Sequence, residues 1–165
     1  MILRHAKSAW PAGVPDNLRP LNARGERDAI AAGEWLASAR LHPDLILVSP
    51  AMRTMQTWQG VAEALGVDPD AAETVPGLYH ASPAAILRAI GDHAGPEDRV
   101  VLVIAHNPGC EELALLLDDD KRSEAAQNLR FKYPTAGIAV LDSAEDWRSW
   151  LPGTADLRTF VVPRG

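Results

Sequence analysis

Val100-Val101-Leu102-Val103-Ile104-Ala105 is the apolar stretch that decides the fold, and His106-Asn107-Pro108 follows it directly. Its aliphatic, mostly β-branched side chains do not alternate with polar ones, which is typical of a strand covered by helices on both faces. We therefore predict a central strand over 100–105. Pro108 is expected at the first position of the next helix, which runs to Leu117.

The rest of the chain alternates between predicted strands and predicted helices. Further apolar runs predict strands over 1–3, 45–48, 138–141 and 159–162. Amphipathic spacing and helix-start signals predict helices over 22–40, 50–65 and 83–93. Ser49 and Ser82 are the expected caps of the last two, each with proline at the first helical position. This alternation predicts a three-layer α/β/α sandwich with a mostly parallel sheet, right-handed crossovers and helices on both faces.

Length and composition indicate one soluble globular domain over 1–165. The chain has 165 residues, 47% of them hydrophobic and 23% charged. A formal charge of −6 argues against a protein that binds nucleic acid or anionic lipid as its main task. A disulfide within the chain is excluded because Cys110 is the only cysteine. No apolar run approaches a membrane span, and the first residues leave no room for a signal peptide, so we expect a cytoplasmic protein.

Basic residues and histidines follow three of the predicted strands. Arg4 and His5 come after the first strand, Arg53 lies in the first turn after the second, and His106 follows the central strand. Ligands of open α/β sheets bind beyond the carboxyl ends of the strands. If these strands are neighbours, two arginines, two histidines and free helix N-terminal amides meet at one edge. This arrangement predicts an anion site in a protein of negative net charge.

Phosphoryl transfer is the chemistry that best matches this set of residues. The planar guanidinium of arginine suits two phosphoryl oxygens at once. We predict His5 as the nucleophile, because the adjacent positive charge of Arg4 disfavours its protonation and a neutral imidazole can attack phosphorus. His106, once protonated beside a bound phosphate dianion, is expected to donate to the phosphoryl group.

These motifs, in this order, resemble those of the histidine phosphatase (phosphoglycerate mutase-like) superfamily, and in particular its small SixA-type phosphohistidine phosphatases. They are Arg4-His5-Ala6, Asp16 followed by Arg19-Pro20-Leu21, Ser49-Pro50-Ala51-Met52-Arg53 and Ala105-His106-Asn107-Pro108. The resemblance implies a phosphoglycerate mutase-like fold and transient phosphorylation of His5, followed by hydrolysis by water without metal or cofactor. It also implies that Arg4, Arg53 and His106 hold the phosphoryl group and that Arg19 reaches the pocket rim.

The chain departs from the family pattern at two positions. Ala6 stands where the superfamily commonly has glycine, and His80 stands where larger members carry an acidic proton donor after a Leu-x-Glu pattern. Without a donor, a monoester with a poor alkoxide leaving group turns over slowly, whereas phosphohistidine loses an imidazole more easily. We therefore expect a phosphatase for phosphohistidine on a protein, with His80 as the candidate donor if one is used.

Alternative interpretations remain open at this stage. The substrate could instead be a small phosphorylated metabolite cleaved as a monoester, or the chain could be a non-catalytic phosphate-binding module. Arg19 could pair with Asp16 as a structural ion pair rather than contact substrate. A cysteine phosphatase built on Cys110 is disfavoured because position 116 is Leu rather than Arg, and no histidines stand at metal-ligand spacing. The sequence does not indicate an oligomeric state.

Overall fold

The computed structural model describes residues 1–165 and contains six strands and five α-helices. The strands are β1 (Ile2–Arg4), β2 (Leu45–Val48), β3 (Glu73–Thr74), β4 (Val101–Ala105), β5 (Ile138–Asp142) and β6 (Asp156–Val161). The helices are α1 (Ala23–Ser38), α2 (Met52–Leu65), α3 (Pro83–His93), α4 (Gly109–Leu117) and α5 (Glu124–Phe131). None of these helices is long and apolar enough to cross a membrane.

The strands form one sheet in the order β3-β2-β4-β1-β5-β6. β4 lies between β2 and β1 and pairs in parallel with both. β3 also runs parallel to β2, whereas β5 is antiparallel to both of its neighbours. The prediction of a mostly parallel sheet with 100–105 as an interior strand is therefore confirmed.

Helices cover both faces of this sheet, which confirms the predicted sandwich. Because successive side chains of a strand point to opposite faces, β4 contributes to two cores. Leu102 and Ile104 lie in the core that contains Leu36 of α1 and Trp58 of α2. Val101, Val103 and Ala105 lie in the core beneath the other three helices, whose buried residues include Ile86, Leu113 and Leu129. The strand is therefore buried on both sides, as predicted from its aliphatic side chains that do not alternate with polar ones.

The predicted helix starts are partly correct. Asn22 accepts a hydrogen bond from Gly25 N and caps α1, and Ser82 accepts one from Ala85 N and caps α3, with Pro83 as its first residue. The prediction for α2 is wrong: it begins at Met52, after an Ala51 that makes no side-chain cap. The hydroxyl of Ser49 is instead engaged by a histidine described below. α4 begins at Gly109, one residue later than predicted, with Pro108 as its N-cap.

Two elements were missed because their local signals are weak. β3 has only two residues, both exposed, and depends on pairing with β2. α5 is a short helix that Ser123 caps by accepting a hydrogen bond from Ala126 N. β6 also begins three residues before the predicted start, because its first part alternates polar and apolar side chains as an exposed-edge strand does.

Candidate active site

The carboxyl ends of β1 and β4 bring His5 and His106 into one pocket. Arg4 is paired with Ala105 across the parallel ladder, and His5 N donates to Ala105 O at 3.0 Å. His5 and His106, the residues that follow β1 and β4, are therefore side by side at the edge of the sheet. Their ring centroids are 5.3 Å apart. The register of two adjacent parallel strands thus sets the distance between these two side chains.

His5 is held as a neutral ring with one free nitrogen. Its Nδ1 lies 2.7 Å from Ala6 O, and because a carbonyl oxygen can only accept, Nδ1 carries the proton. Nε2 therefore keeps its lone pair. Burial lowers the pKa of His5 to about 4, the Ala6 hydrogen bond opposes this shift, and the charges of Arg53 and Arg4 lower the pKa further. The sequence predicted a neutral His5 from the charge of Arg4, but burial makes the larger contribution to the shift.

The backbone beside His5 is fixed by Thr57 of α2. The hydroxyl of Thr57 accepts a hydrogen bond from Ala6 N at 2.9 Å and donates to Arg53 O at 2.6 Å. The methyl group of Ala6, where the family commonly has glycine, is fully buried in a small cluster with Leu21 and two alanines. An alanine at this position is therefore part of the packing that supports the loop.

His106 is bonded at both ring nitrogens. Arg53 Nη2 lies 3.3 Å from Nδ1, and because a guanidinium only donates, Nδ1 accepts. Nε2 then carries the proton and donates to the Ser49 hydroxyl at 2.7 Å. Burial lowers the pKa of His106 to about 3, and the neighbouring His5 ring and the Arg53 guanidinium act in the same direction. Donation by a protonated His106 to a bound dianion stays a prediction.

Arg53 and Arg4 flank the two histidines. Arg53 is only 2% exposed. It donates from Nη1 to Asp16 O at 2.6 Å and from Nη2 to Asp16 Oδ2 at 3.0 Å. Arg4 donates from Nη1 to Tyr133 O at 2.6 Å, and its buried Nε has no hydrogen-bond partner. Burial lowers the pKa of Arg4. The pocket thus combines two neutral imidazoles with the Arg53 guanidinium, and Arg4, next to His5 in the chain, has an unused buried donor.

Arg19 forms the structural ion pair with Asp16 that the sequence analysis gave as the alternative to substrate contact. It donates to Asp16 Oδ1 at 2.8 Å, to Ser8 Oγ at 2.6 Å and to Ala9 O at 3.0 Å. Its guanidinium carbon also lies 3.1 Å from the ring centroid of the exposed Trp10. These bonds tie the 8–20 loop together. The substrate contact that the family resemblance implies for Arg19 stays a prediction.

Three groups form the solvent side of the pocket. Asp16 Oδ2 accepts a hydrogen bond from the Tyr79 hydroxyl at 2.7 Å and lies 3.3 Å from His80 Nε2. The ring centroids of His80 and Tyr79 are 5.1 and 5.6 Å from that of His106. His80, the candidate donor, is therefore close to the pocket. Asp16 and Tyr79 were missed as site residues; their only signal was their place within the family motifs.

The loop that carries Tyr79 and His80 is packed tightly against the start of α4. A Cβ atom at Gly109 would lie 2.0 Å from Ala81 O, closer than any real contact, so only glycine permits this approach. The segment that follows His106 and the loop on the solvent side are therefore in direct backbone contact.

Cys110, in the first turn of α4, is not placed for nucleophilic chemistry. Its side chain is fully buried, and burial raises the pKa of the thiol to about 12. One acidic cluster, Asp118, Asp119 and Asp156, has carboxylate oxygens within 4.8 Å of one another. None of these three residues belongs to the pocket described above.

Together, the fold and the pocket define an α/β protein with an arginine- and histidine-lined site at the carboxyl edge of a mostly parallel sheet. The family model for the histidine phosphatase superfamily (branch 1) matches residues 1–79. An uncharacterized protein from Mycobacterium tuberculosis is 38% identical over 164 residues, covering 98% of this chain and 100% of the relative. Phosphohistidine phosphatase SixA from Escherichia coli is 32% identical over 108 residues, which are 65% of this chain and 66% of the relative.

A solved structure gives the same result. A SixA-type protein from Nakamurella multipartitia has a TM-score of 0.85 and 27% identity to this chain, with 98% of this chain and 93% of the other covered. The chain belongs to the histidine phosphatase superfamily, as the sequence motifs predicted. Membership of this family, with SixA proteins among the similar structures, supports phosphatase activity on a phosphorylated substrate.

Proposed function

We propose that this chain hydrolyses the phosphohistidine of a protein substrate through a covalent phosphoryl intermediate on His5. The observation that carries the proposal is the state of the His5 ring: a neutral imidazole whose Nδ1 is bonded to Ala6 O, with the Nε2 lone pair free. The name of the Escherichia coli relative, a phosphohistidine phosphatase, supports the substrate class.

In the first step the lone pair of His5 Nε2 forms a bond to phosphorus. The bond between phosphorus and the leaving nitrogen of the substrate breaks, and its electron pair stays on that nitrogen. Arg4 and Arg53 stabilise the charge on the phosphoryl oxygens, and His106 donates a further hydrogen bond if the dianion brings it to the protonated form.

In the second step a water oxygen attacks phosphorus and the bond to Nε2 breaks. The electron pair returns to Nε2, the water proton goes to solvent or phosphate, and inorganic phosphate leaves. Since Nδ1 keeps its proton throughout, His5 departs from phosphorus as a neutral imidazole. Both steps use only side chains of this chain, so we propose a reaction that needs neither metal nor cofactor.

The test compares a phosphohistidine peptide with a phosphoserine peptide, using the wild type, His5→Gln and the exposed-histidine control His42→Gln. We expect the wild type and the control to prefer phosphohistidine. His5→Gln should lose turnover by at least about 10³-fold, because the nucleophile is gone. Peptide mapping of the wild type at alkaline pH, quenched during turnover, should place a phosphoryl group on His5. Normal turnover by His5→Gln would rule out the mechanism.

The monoester alternative has one observation in its favour. His80 Nε2 lies 3.3 Å from the Asp16 carboxylate, and its ring centroid is 5.1 Å from that of His106, so an imidazole stands at the solvent side of the pocket, where a proton donor to a leaving oxygen would be needed. Efficient cleavage of phosphoserine by the wild type, lost in His80→Asn, would favour this alternative. Binding of inorganic phosphate without turnover of either peptide would instead indicate a phosphate-binding module. Loss of turnover after EDTA treatment, restored by a divalent metal, would contradict the proposed metal independence.

A further inference from the structure

Asp16 carries a carboxylate at the mouth of the pocket that the mechanism above does not use. Its Oδ1 accepts from Arg19, while Oδ2 accepts from Tyr79 and Arg53 and lies close to His80. Hydrogen bonds from Tyr79, Arg19 and Arg53 hold the pKa of this carboxyl far below its usual value. Asp16 is therefore a fixed negative charge, paired with Arg19 and Arg53, beside a site proposed to bind an anion.

The direction of the pocket places Asp16 beside the leaving group. His5, Arg53 and His106 are 9%, 2% and 3% exposed and form its floor. The side chains of Asp16 and His80 are 43% and 55% exposed and form its rim. A phosphoryl group that meets His5 on the floor must have its leaving group, attached to the rest of the substrate, toward solvent. The leaving group therefore passes the rim.

We propose that the Asp16 carboxylate accepts a hydrogen bond from the ring nitrogen of the substrate phosphohistidine that does not carry the phosphoryl group, and so selects this leaving group over an ester. This inference rests on the proposed function and assigns Asp16 as a specificity-determining residue. The ligand class is a phosphoramidate whose leaving group carries an N–H donor.

The chemical reason is the charge on the leaving group. When the bond between phosphorus and the substrate nitrogen breaks, the electron pair stays on that nitrogen. If the other ring nitrogen carries a proton, the departing imidazole is neutral and no external donor is needed. A carboxylate stabilises the ring in this protonated form. Asp16 thus compensates for the absence of a glutamate at the position of His80.

The enzyme's own nucleophile shows the same arrangement. The Nδ1 proton of His5 is bonded to Ala6 O at 2.7 Å, on the side of the ring away from the nitrogen that would carry phosphorus. In the second step Ala6 O accepts the N–H hydrogen bond that lets His5 depart as a neutral imidazole. Asp16 has the same role for the substrate ring in the first step. A seryl phosphate has no such donor, and its leaving oxygen would gain negative charge beside the Asp16 carboxylate.

The test uses Asp16→Asn and the exposed control Asp70→Asn. The amide oxygen of the Asp16→Asn variant can still accept from Tyr79 and Arg53, but the variant lacks the charge and the acceptor for Arg19. The substrates are a phosphohistidine peptide and p-nitrophenyl phosphate, whose leaving group needs no proton. For Asp16→Asn at pH 8 we expect kcat/KM on phosphohistidine to fall at least tenfold and kcat/KM on p-nitrophenyl phosphate to change less than threefold. The loss on phosphohistidine should shrink at pH 6, where solvent protonates an imidazole whose ordinary pKa is about 6.5.

Equal losses on both substrates would overturn the inference, because they would mean that Asp16 only positions Arg53. The inference would also be overturned if the loss of kcat/KM on phosphohistidine did not depend on pH, or if there were no loss. Asp16→Ser provides a second variant if Asp16→Asn does not fold, with the same expected ratio. A wild type that cleaves p-nitrophenyl phosphate but not phosphohistidine would refute the proposed substrate itself, which separates that failure from a failure of the role of Asp16.

Discussion

The ionisation of His5 gives the sharpest prediction. Burial lowers its pKa from 6.5 to about 4, which disfavours the protonated ring in the folded protein by about 3 kcal/mol. At pH 5.5 an unperturbed histidine is neutral in only about one molecule in ten, whereas a ring with a pKa of about 4 is neutral in about 30 of 31. We therefore expect His5 to remain a competent nucleophile well into the acidic range.

The assay is an NMR titration of the imidazole signals between pH 5 and 7, with the His5 signal assigned from its loss in His5→Gln. The expected result is a signal that stays in the neutral form throughout this range, with the hydrogen on Nδ1. Arg4→Met, which removes one neighbouring cation, should leave the pKa well below 6.5, because burial is the main cause of the shift. Half-protonation of His5 at pH 6 or above in the wild type would refute the reasoning.

The sign of the stability effect follows from the same shift. The unfolded chain takes up a proton at His5 below about pH 6.5, while the folded protein does not do so until about pH 4. The free energy of unfolding should therefore decrease as pH falls from 6.5 toward 4. His5→Gln should show a shallower decrease over that range, as measured by urea unfolding at each pH.

Other contacts give further predictions. Thr57→Val leaves the buried Ala6 N–H without an acceptor and should lower the free energy of unfolding by about 1–3 kcal/mol, with an unchanged urea midpoint as the contrary result. Asn22→Ala removes the acceptor for Gly25 N at the start of α1 and should cost about 1 kcal/mol, whereas Asn22→Asp should retain most of the stability. The buried Cys110 thiol, with its pKa raised to about 12, should react with a thiol reagent only on unfolding; rapid labelling of the native protein would contradict its burial.

The parts of the site that the sequence predicted are those fixed by local position. Each of His5, Arg53 and His106 follows a strand or begins the helix after it, so identifying the strand also places the side chain. Strand order and parallel direction then bring these residues to one edge. The same logic explains why the buried strands were found and why the exposed two-residue β3 was not.

The missed parts depend on contacts between distant segments. Asp16 meets Tyr79 across 63 positions of sequence, and Ser49 meets His106 across 57. Neither pair has a periodic or spacing signal. Ser49 shows the problem most clearly, since a serine before a proline and a helix is a good local cap signal, but in the fold its hydroxyl bonds to His106.

The contact between Gly109 and Ala81 O joins the floor and the rim of the pocket through backbone atoms. A bound dianion that displaces His106 would move the start of α4, and that motion would reach Tyr79 and His80 through backbone rather than through flexible side chains. The rim can therefore diversify by exchange of side chains at 79 and 80. Any residue other than glycine at position 109, by contrast, would have to displace the loop, because its Cβ atom would lie 2.0 Å from Ala81 O.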